Sequence, residues 1–190
     1  MRTRDDLLQQ VARLEAEIAR RGNYKWSRYY PDEGPLRREL YRAAVEFFDQ
    51  GDNYPERLTL GGNRTGKTES AAYEVTCHLT GIYPHWWKGK RFDQPVDCWT
   101  AGDTATTTRD IQQLALYGPL REAPKTGMIP AHLIQHTSPK NAIPNALETI
   151  WVKHASGGTS TIAFKSYDQR RESFQGTAKH LIWLDEECPD

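Results

Sequence analysis

The chain has 190 residues with 25 basic and 25 acidic side chains, so its formal net charge is zero. That length suits one domain with enough chain to bury a core, and the neutral balance excludes a uniformly basic protein built for static nucleic-acid binding; any DNA contact must be local, transient or shared with other parts. No apolar run approaches the ~20 residues of a membrane span and the N-terminus has no apolar signal core, while Cys77, Cys98 and Cys188 are too scattered for a disulfide framework or zinc site and fit a reducing cytosol.

Residues 4–21 predict a charged amphipathic helix, with Leu7, Val11, Leu14 and Ile18 on one face and a stop at Gly22-Asn23. It packs on its own domain or makes a short coiled-coil contact with a partner. Residues 24–35 are aromatic and turn-rich. A second helix runs from about Leu36 to Gly51, with Leu40, Ala44, Phe47 and Phe48 on one side. Arg57–Leu60 predicts a strand entering a glycine loop, and a helix follows from about Gly66 to Leu79. Then come a tryptophan loop (Trp86, Trp87), a strand at Val96–Thr100 and a helix from about Ala105 to Leu116. The proline-punctuated stretch 118–148 is expected to be irregular. Thr149–Lys153 and Thr159–Lys165 predict two strands joined by a hairpin at Ser156-Gly157-Gly158, and His180–Leu184 a last apolar strand. Strands alternating with helices predict an α/β fold with a mainly parallel central sheet flanked by helices.

Residues 61–68, Gly61-Gly62-Asn63-Arg64-Thr65-Gly66-Lys67-Thr68, fit the Walker A pattern G-x-x-x-x-G-K-S/T without a mismatch. The glycines let the backbone curl so that its N–H groups can point at phosphate oxygens. Lys67 supplies a cation for the β- and γ-phosphates, and the Thr68 hydroxyl a ligand for Mg²⁺. The following helix adds its positive end. A preceding strand and a following helix are the context this phosphate loop requires.

Leu181-Ile182-Trp183-Leu184 followed by Asp185-Glu186-Glu187 matches a buried parallel strand emerging at its carboxyl end, the Walker B arrangement. Ligands of open α/β sheets bind at that end. Asp185 is then expected to hold Mg²⁺ and Glu186 to polarise the attacking water, with Glu187 a solvated carboxylate or a helper. A glutamate directly after the metal-binding aspartate points to ATPases of the strand-end-glutamate (ASCE) type. It points away from small GTPases, and no guanine-reading N-K-x-D stretch occurs.

The glycine loop resembles that of tailed-phage terminase large subunits. So do His78-Leu79-Thr80-Gly81-Ile82-Tyr83-Pro84-His85-Trp86-Trp87 and the lead into the acidic strand, Thr159–Ser166 with Tyr167-Asp168-Gln169-Arg170-Arg171-Glu172-Ser173-Phe174-Gln175-Gly176. The likeness covers the chain beyond about residue 24, so residues 1–23 are set apart as an N-terminal helix and 24–190 as the ATPase domain. It implies a ring-forming, Mg²⁺- and ATP-dependent motor that translocates double-stranded DNA into a procapsid, with a portal protein and a small terminase subunit as partners. It also implies a phage or prophage gene, action in the host cytoplasm and no membrane. The resemblance places Arg64 where it reaches the γ-phosphate or contacts a neighbouring segment. Arg109, Arg121, Arg170 and Arg171 are candidates for the arginine a ring supplies to its neighbour.

Two departures stand out. Where many family members carry an adenine-reading glutamine, this chain has Pro35–Tyr41 with arginines, leaving Arg37 or Tyr30 to stack on the base. The chain also ends at Asp190, before the further strands and nuclease domain of the family. The sheet is therefore expected to be truncated after the Walker B strand and hydrolysis by this piece alone to be slow. The rival readings are a helicase-like ATPase and a non-enzymatic assembly module using the aromatic stretch and N-terminal helix. Trp86 and Trp87, beside Lys88, Lys90 and Arg91, either stack on DNA bases or anchor their loop to the core.

Overall fold

The computed structural model describes residue 6 and residues 24–141, 143–169, 174–175 and 177–186. The helix expected over 4–21 lies, except for Asp6, outside them, as do Arg170, Arg171, Glu187 and Cys188.

Residues 24–52 form a short helix α1 (Lys25–Arg28), a 3₁₀ turn (Arg38–Tyr41), helix α2 (Arg42–Asp49) and a second 3₁₀ turn (Gln50–Asp52). The expected apolar stripe is present but shifted. Tyr41, Ala44, Phe47 and the fully buried Phe48 pack on the core, whereas Leu40 sits in the tighter 3₁₀ turn and is 55% exposed. Helix α3 (Lys67–Thr80) starts and ends within a residue of its sequence signals and buries every residue from Ala72 to Thr80. Strand β1 (Asp97–Gly102) leads into a helical rod of three parts: α4 (Ala105–Thr108), a π-helical turn (Arg109–Gln113) and α5 (Leu114–Leu116). Thr104 caps the rod, its hydroxyl accepting from the Thr107 N–H while Thr107 bonds back, a reciprocal capping box. Strands β2 (Ile134–Pro139), β3 (Leu147–Lys153), β4 (Thr159–Ser166) and β5 (Leu181–Leu184) follow.

The five strands form one sheet in the order β2-β3-β4-β1-β5. Strand β1 runs parallel to both β4 and β5, but β2–β3 and β3–β4 are antiparallel. The sheet is therefore mixed, which corrects the mainly parallel expectation. The reason is connection length: β3 and β4 are joined by a tight turn in which the His154 N–H bonds the Gly158 carbonyl, and only residues 140–146 separate β2 from β3. A parallel crossover needs a dozen residues or more. Strand β2 itself arises in the stretch expected to be irregular, because its polar Gln135-His136-Thr137-Ser138 run carries no apolar alternation.

A second correction concerns Arg57–Leu60. These residues form no strand; Leu58 and Leu60 are 80% and 83% exposed. The segment is held by a side chain instead of a ladder. The Arg57 guanidinium donates to the Phe47 carbonyl (2.5 Å) and to Glu74 on α3 (2.9 Å). Apolar alternation favours a strand only where a neighbouring strand offers pairing groups.

Period-two burial along β3, β4 and β5 defines the sheet's two faces, while the central β1 is buried on both, with Trp99 and Ala101 covered as well as Cys98 and Thr100. Cys98, Thr100, Ile150, Val152, Ile162, Phe164 and Trp183 are buried, and most join Ala72, Val75 and Leu79 of α3 in the core. On the opposite face Thr149, Trp151, Thr161, Ala163 and Lys165 are only partly covered, and Ile182 and Leu184 are exposed. The described cysteines, Cys77 and Cys98, are free and buried, with burial holding both thiols protonated. No helix among the described residues is long and apolar enough to cross a membrane.

Candidate active site

The Gly61–Thr68 loop joins the exposed 58–60 segment to α3, and residues 61–65 are exposed. Gly66 takes φ 87° at the helix N-cap, a left-handed turn that a Cβ disfavours. Arg64 is also left-handed, at φ 64°. The loop is closed on itself: Thr65 Oγ1 donates to the Gly62 carbonyl (2.9 Å), and Lys67 Nζ donates to the carbonyls of Gly61 (2.6 Å) and Gly62 (2.9 Å).

Behind the loop, the first turn of α3 is tied to the aromatic stretch. Lys25 Nζ and Tyr29 Oη both donate to Glu69, at 2.8 and 3.0 Å. Tyr30 shares a hydrogen bond with Ser70 (2.8 Å), and Ser70 donates to the Gly66 carbonyl (2.9 Å). Burial, with the Glu69 carboxylate adding, raises the Tyr29 phenol, so it stays a donor at every physiological pH.

Asp185 is the first residue past β5, half-buried, with its N–H bonded to the Ala101 carbonyl of β1 (2.9 Å). Helix α3 packs against β5. Burial raises the Asp185 carboxyl above the usual carboxylate range and the adjacent Glu186 carboxylate raises it further, while the Lys67 ammonium pulls it down. Lys67 and Asp185 thus belong to two elements that pack on one another, the helix α3 and the strand β5. Glu186 is exposed and adopts φ 66°.

The Thr68 hydroxyl and the Asp185 carboxylate are oxygen donors of the kind Mg²⁺ takes, one or two from a protein with waters completing its shell. Among the described residues no group of three or more His, Cys, Asp or Glu could hold a metal, so a dedicated protein cage is absent there. The crowding of two carboxylates at Asp185–Glu186 is the electrostatic arrangement a cation relieves.

Other expectations fare unevenly. Tyr30 is not placed to stack on a base: it is 2% exposed, its ring packed edge-on against Tyr41, Phe48 and Tyr73. Arg37 is exposed and lies 3.9 Å from Glu39. Trp87 is 3% exposed, stacks on Phe48 and donates to the Lys90 carbonyl (3.0 Å), so it anchors its loop and offers no face to DNA. Trp86 lines an aromatic cleft with Trp26, Tyr29, Tyr30 and Tyr73. Arg109 pairs with Asp110 (2.7 Å) and donates to the Pro144 carbonyl (3.0 Å); Arg121 is exposed. The sequence reading missed Arg57, Glu69, Glu74 and Tyr167, whose roles rest on partners far along the chain that no spacing rule reveals.

The terminase large subunit of Salmonella phage P22 is 39% identical over 168 residues, covering 78% of this chain and 34% of the relative. The chain thus spans about a third of the length of the curated relative it matches. No solved structure matches significantly. The family model "Terminase large subunit, T4likevirus-type, N-terminal" matches residues 58–190, well over half of the chain, and the chain belongs to that family of terminase large subunits.

Proposed function

We propose that residues 24–190 form the ATP-hydrolysing motor domain, of the phosphate-loop NTPase type, of a phage DNA-packaging terminase. The observation that carries this reading is the packing of α3, which begins at Lys67, against β5, which runs out at Asp185, two motifs far apart in sequence. Gly61 to Gly66 would cradle the phosphates with backbone N–H groups. Lys67 would leave its two loop carbonyls to neutralise the β- and γ-phosphate oxygens, and Arg64, exposed beside it, would add a second cation. Thr68 and Asp185 would hold Mg²⁺, which would supply positive charge to offset that of the phosphate oxygens. Glu186 would orient the attacking water and accept its proton. These groups act by positioning and charge compensation, which is most of what phosphoryl transfer asks of a protein.

Double-stranded DNA, a portal protein and a small terminase subunit are the proposed partners, in a homo-oligomeric ring acting at the procapsid in the host cytoplasm. The test is ATP hydrolysis with Mg²⁺, measured with and without DNA and procapsids. Slow turnover stimulated by both is expected, falling about 10²-fold or more in Lys67→Ala and in Glu186→Gln. Stimulation by DNA alone would favour a helicase-like enzyme. Turnover indifferent to Lys67→Ala would place hydrolysis elsewhere.

A further inference from the structure

Glu186 is an uncommon residue to find at φ 66°. Left-handed backbone is rare outside glycine, and the residues enriched there are Asn, Asp and His. Such a conformation persists only where the surroundings hold it. Among the described residues the group positioned to hold it is the Tyr167 phenol, which donates to the Asp185 carbonyl (3.1 Å) and to the Glu186 carbonyl (3.4 Å). These two carbonyls flank the single residue Glu186. Gathering both on one hydroxyl constrains its φ and ψ together, and with them the direction in which its Cβ leaves the backbone.

Tyr167 is itself fixed. It follows directly on β4, and its N–H bonds the Gly102 carbonyl at the end of β1 (2.9 Å), while the Gln169 N–H closes a turn onto Ser166 (3.0 Å). Strands β4 and β5 lie on either side of β1, so their axes are about 10 Å apart. A long side chain is needed to cross that gap, and a phenylalanine would cross it without a donor. The tyrosine therefore clasps the tip of β5 from two strands away.

We infer that Tyr167 is a positioning residue that sets the orientation of the Glu186 carboxylate through the backbone turn at Asp185–Glu186. The inference rests on the proposed role of Glu186 in water activation. It is tested in the whole chain with Tyr167→Phe, which keeps the ring and removes the hydroxyl, and with Tyr54→Phe as a control, since Tyr54 is 58% exposed. Tyr167→Phe is expected to lower kcat about tenfold while KM for Mg·ATP stays within about twofold, because the phosphate-binding loop is untouched. In a Glu186→Gln background the same substitution is expected to change the residual rate by less than about twofold, as for two residues acting through one step. Amide hydrogen exchange over 181–186, read without nucleotide, is expected to accelerate in Tyr167→Phe and not in Tyr54→Phe. Unchanged kcat, an undiminished loss in the Glu186→Gln background, or unaltered exchange would each overturn the inference. A wild-type chain without Lys67-dependent hydrolysis would remove the underlying reading, whereas Lys67-dependent hydrolysis with a fully active Tyr167→Phe would remove only this one.

Discussion

Arg57 offers the sharpest test of how the segment before the glycine loop is held. Its guanidinium lies 2.9 Å from the Glu74 carboxylate, the two side chains 13% and 6% exposed. It also donates to the Phe47 carbonyl and lies over the Phe47 ring, 4.4 Å from its centroid. Gly51 leaves room for it: a Cβ there would meet the guanidinium at 3.2 Å. Arg57→Ala strands a carboxylate inside the core, and breaking a buried pair by removing one partner costs about 3–5 kcal/mol. The lower end applies because a polar ring nitrogen, His78 Nε2, remains 3.6 Å from the same carboxylate. A loss of about 3 kcal/mol corresponds to about 6–12 °C in Tm for a chain of this size. Urea titration followed by circular dichroism reads the free energy, and a thermal scan the Tm. The double variant Arg57→Ala, Glu74→Leu removes the stranded charge and is expected to regain about half of the loss. A single-variant loss below about 1 kcal/mol, or a double variant no better than the single, would refute the claim that an uncompensated buried carboxylate dominates the effect.

Asp185→Asn is expected to stabilise the folded chain modestly at neutral pH while abolishing hydrolysis. The sign follows from the raised carboxyl: the folded state holds the proton more tightly than the unfolded one, so ionised Asp185 opposes folding above its folded pKa, and that penalty fades as pH falls toward the ordinary aspartate range. The Tm difference between variant and parent should therefore shrink between neutral pH and about pH 4; a difference that grows would contradict the assignment. Gly89→Ala should destabilise by about 3 kcal/mol or more, since its Cβ would lie 1.9 Å from the Phe48 carbonyl oxygen, a backbone atom that cannot rotate away. Denaturant melts check this, and near-neutral behaviour would mean that the tryptophan loop is not seated on α2 as described.

Much of the local architecture is legible in the residues. Gly66 and Gly81 bound α3, and the Ser156-Gly157-Gly158 turn joins β3 to β4, because these signals act over a few residues through backbone sterics and capping. The glycine loop and the acidic strand end were recognisable for the same reason, each being a contiguous motif whose chemistry depends on adjacent groups. Arg57–Leu60 shows where this stops. Its alternation suits a strand, yet no ladder forms, since pairing needs a partner that local pattern does not supply. Strand β2 shows the converse: a polar run becomes a strand because β3 is beside it. The mixed direction of the sheet, the Arg57–Glu74 pair and the reach of Tyr167 across β1 to Glu186 all join residues distant along the chain. Such contacts arise from the folded arrangement, where burial makes each charge and hydrogen-bonding group find whatever partner packing brings near, and one-dimensional spacing carries no record of that choice.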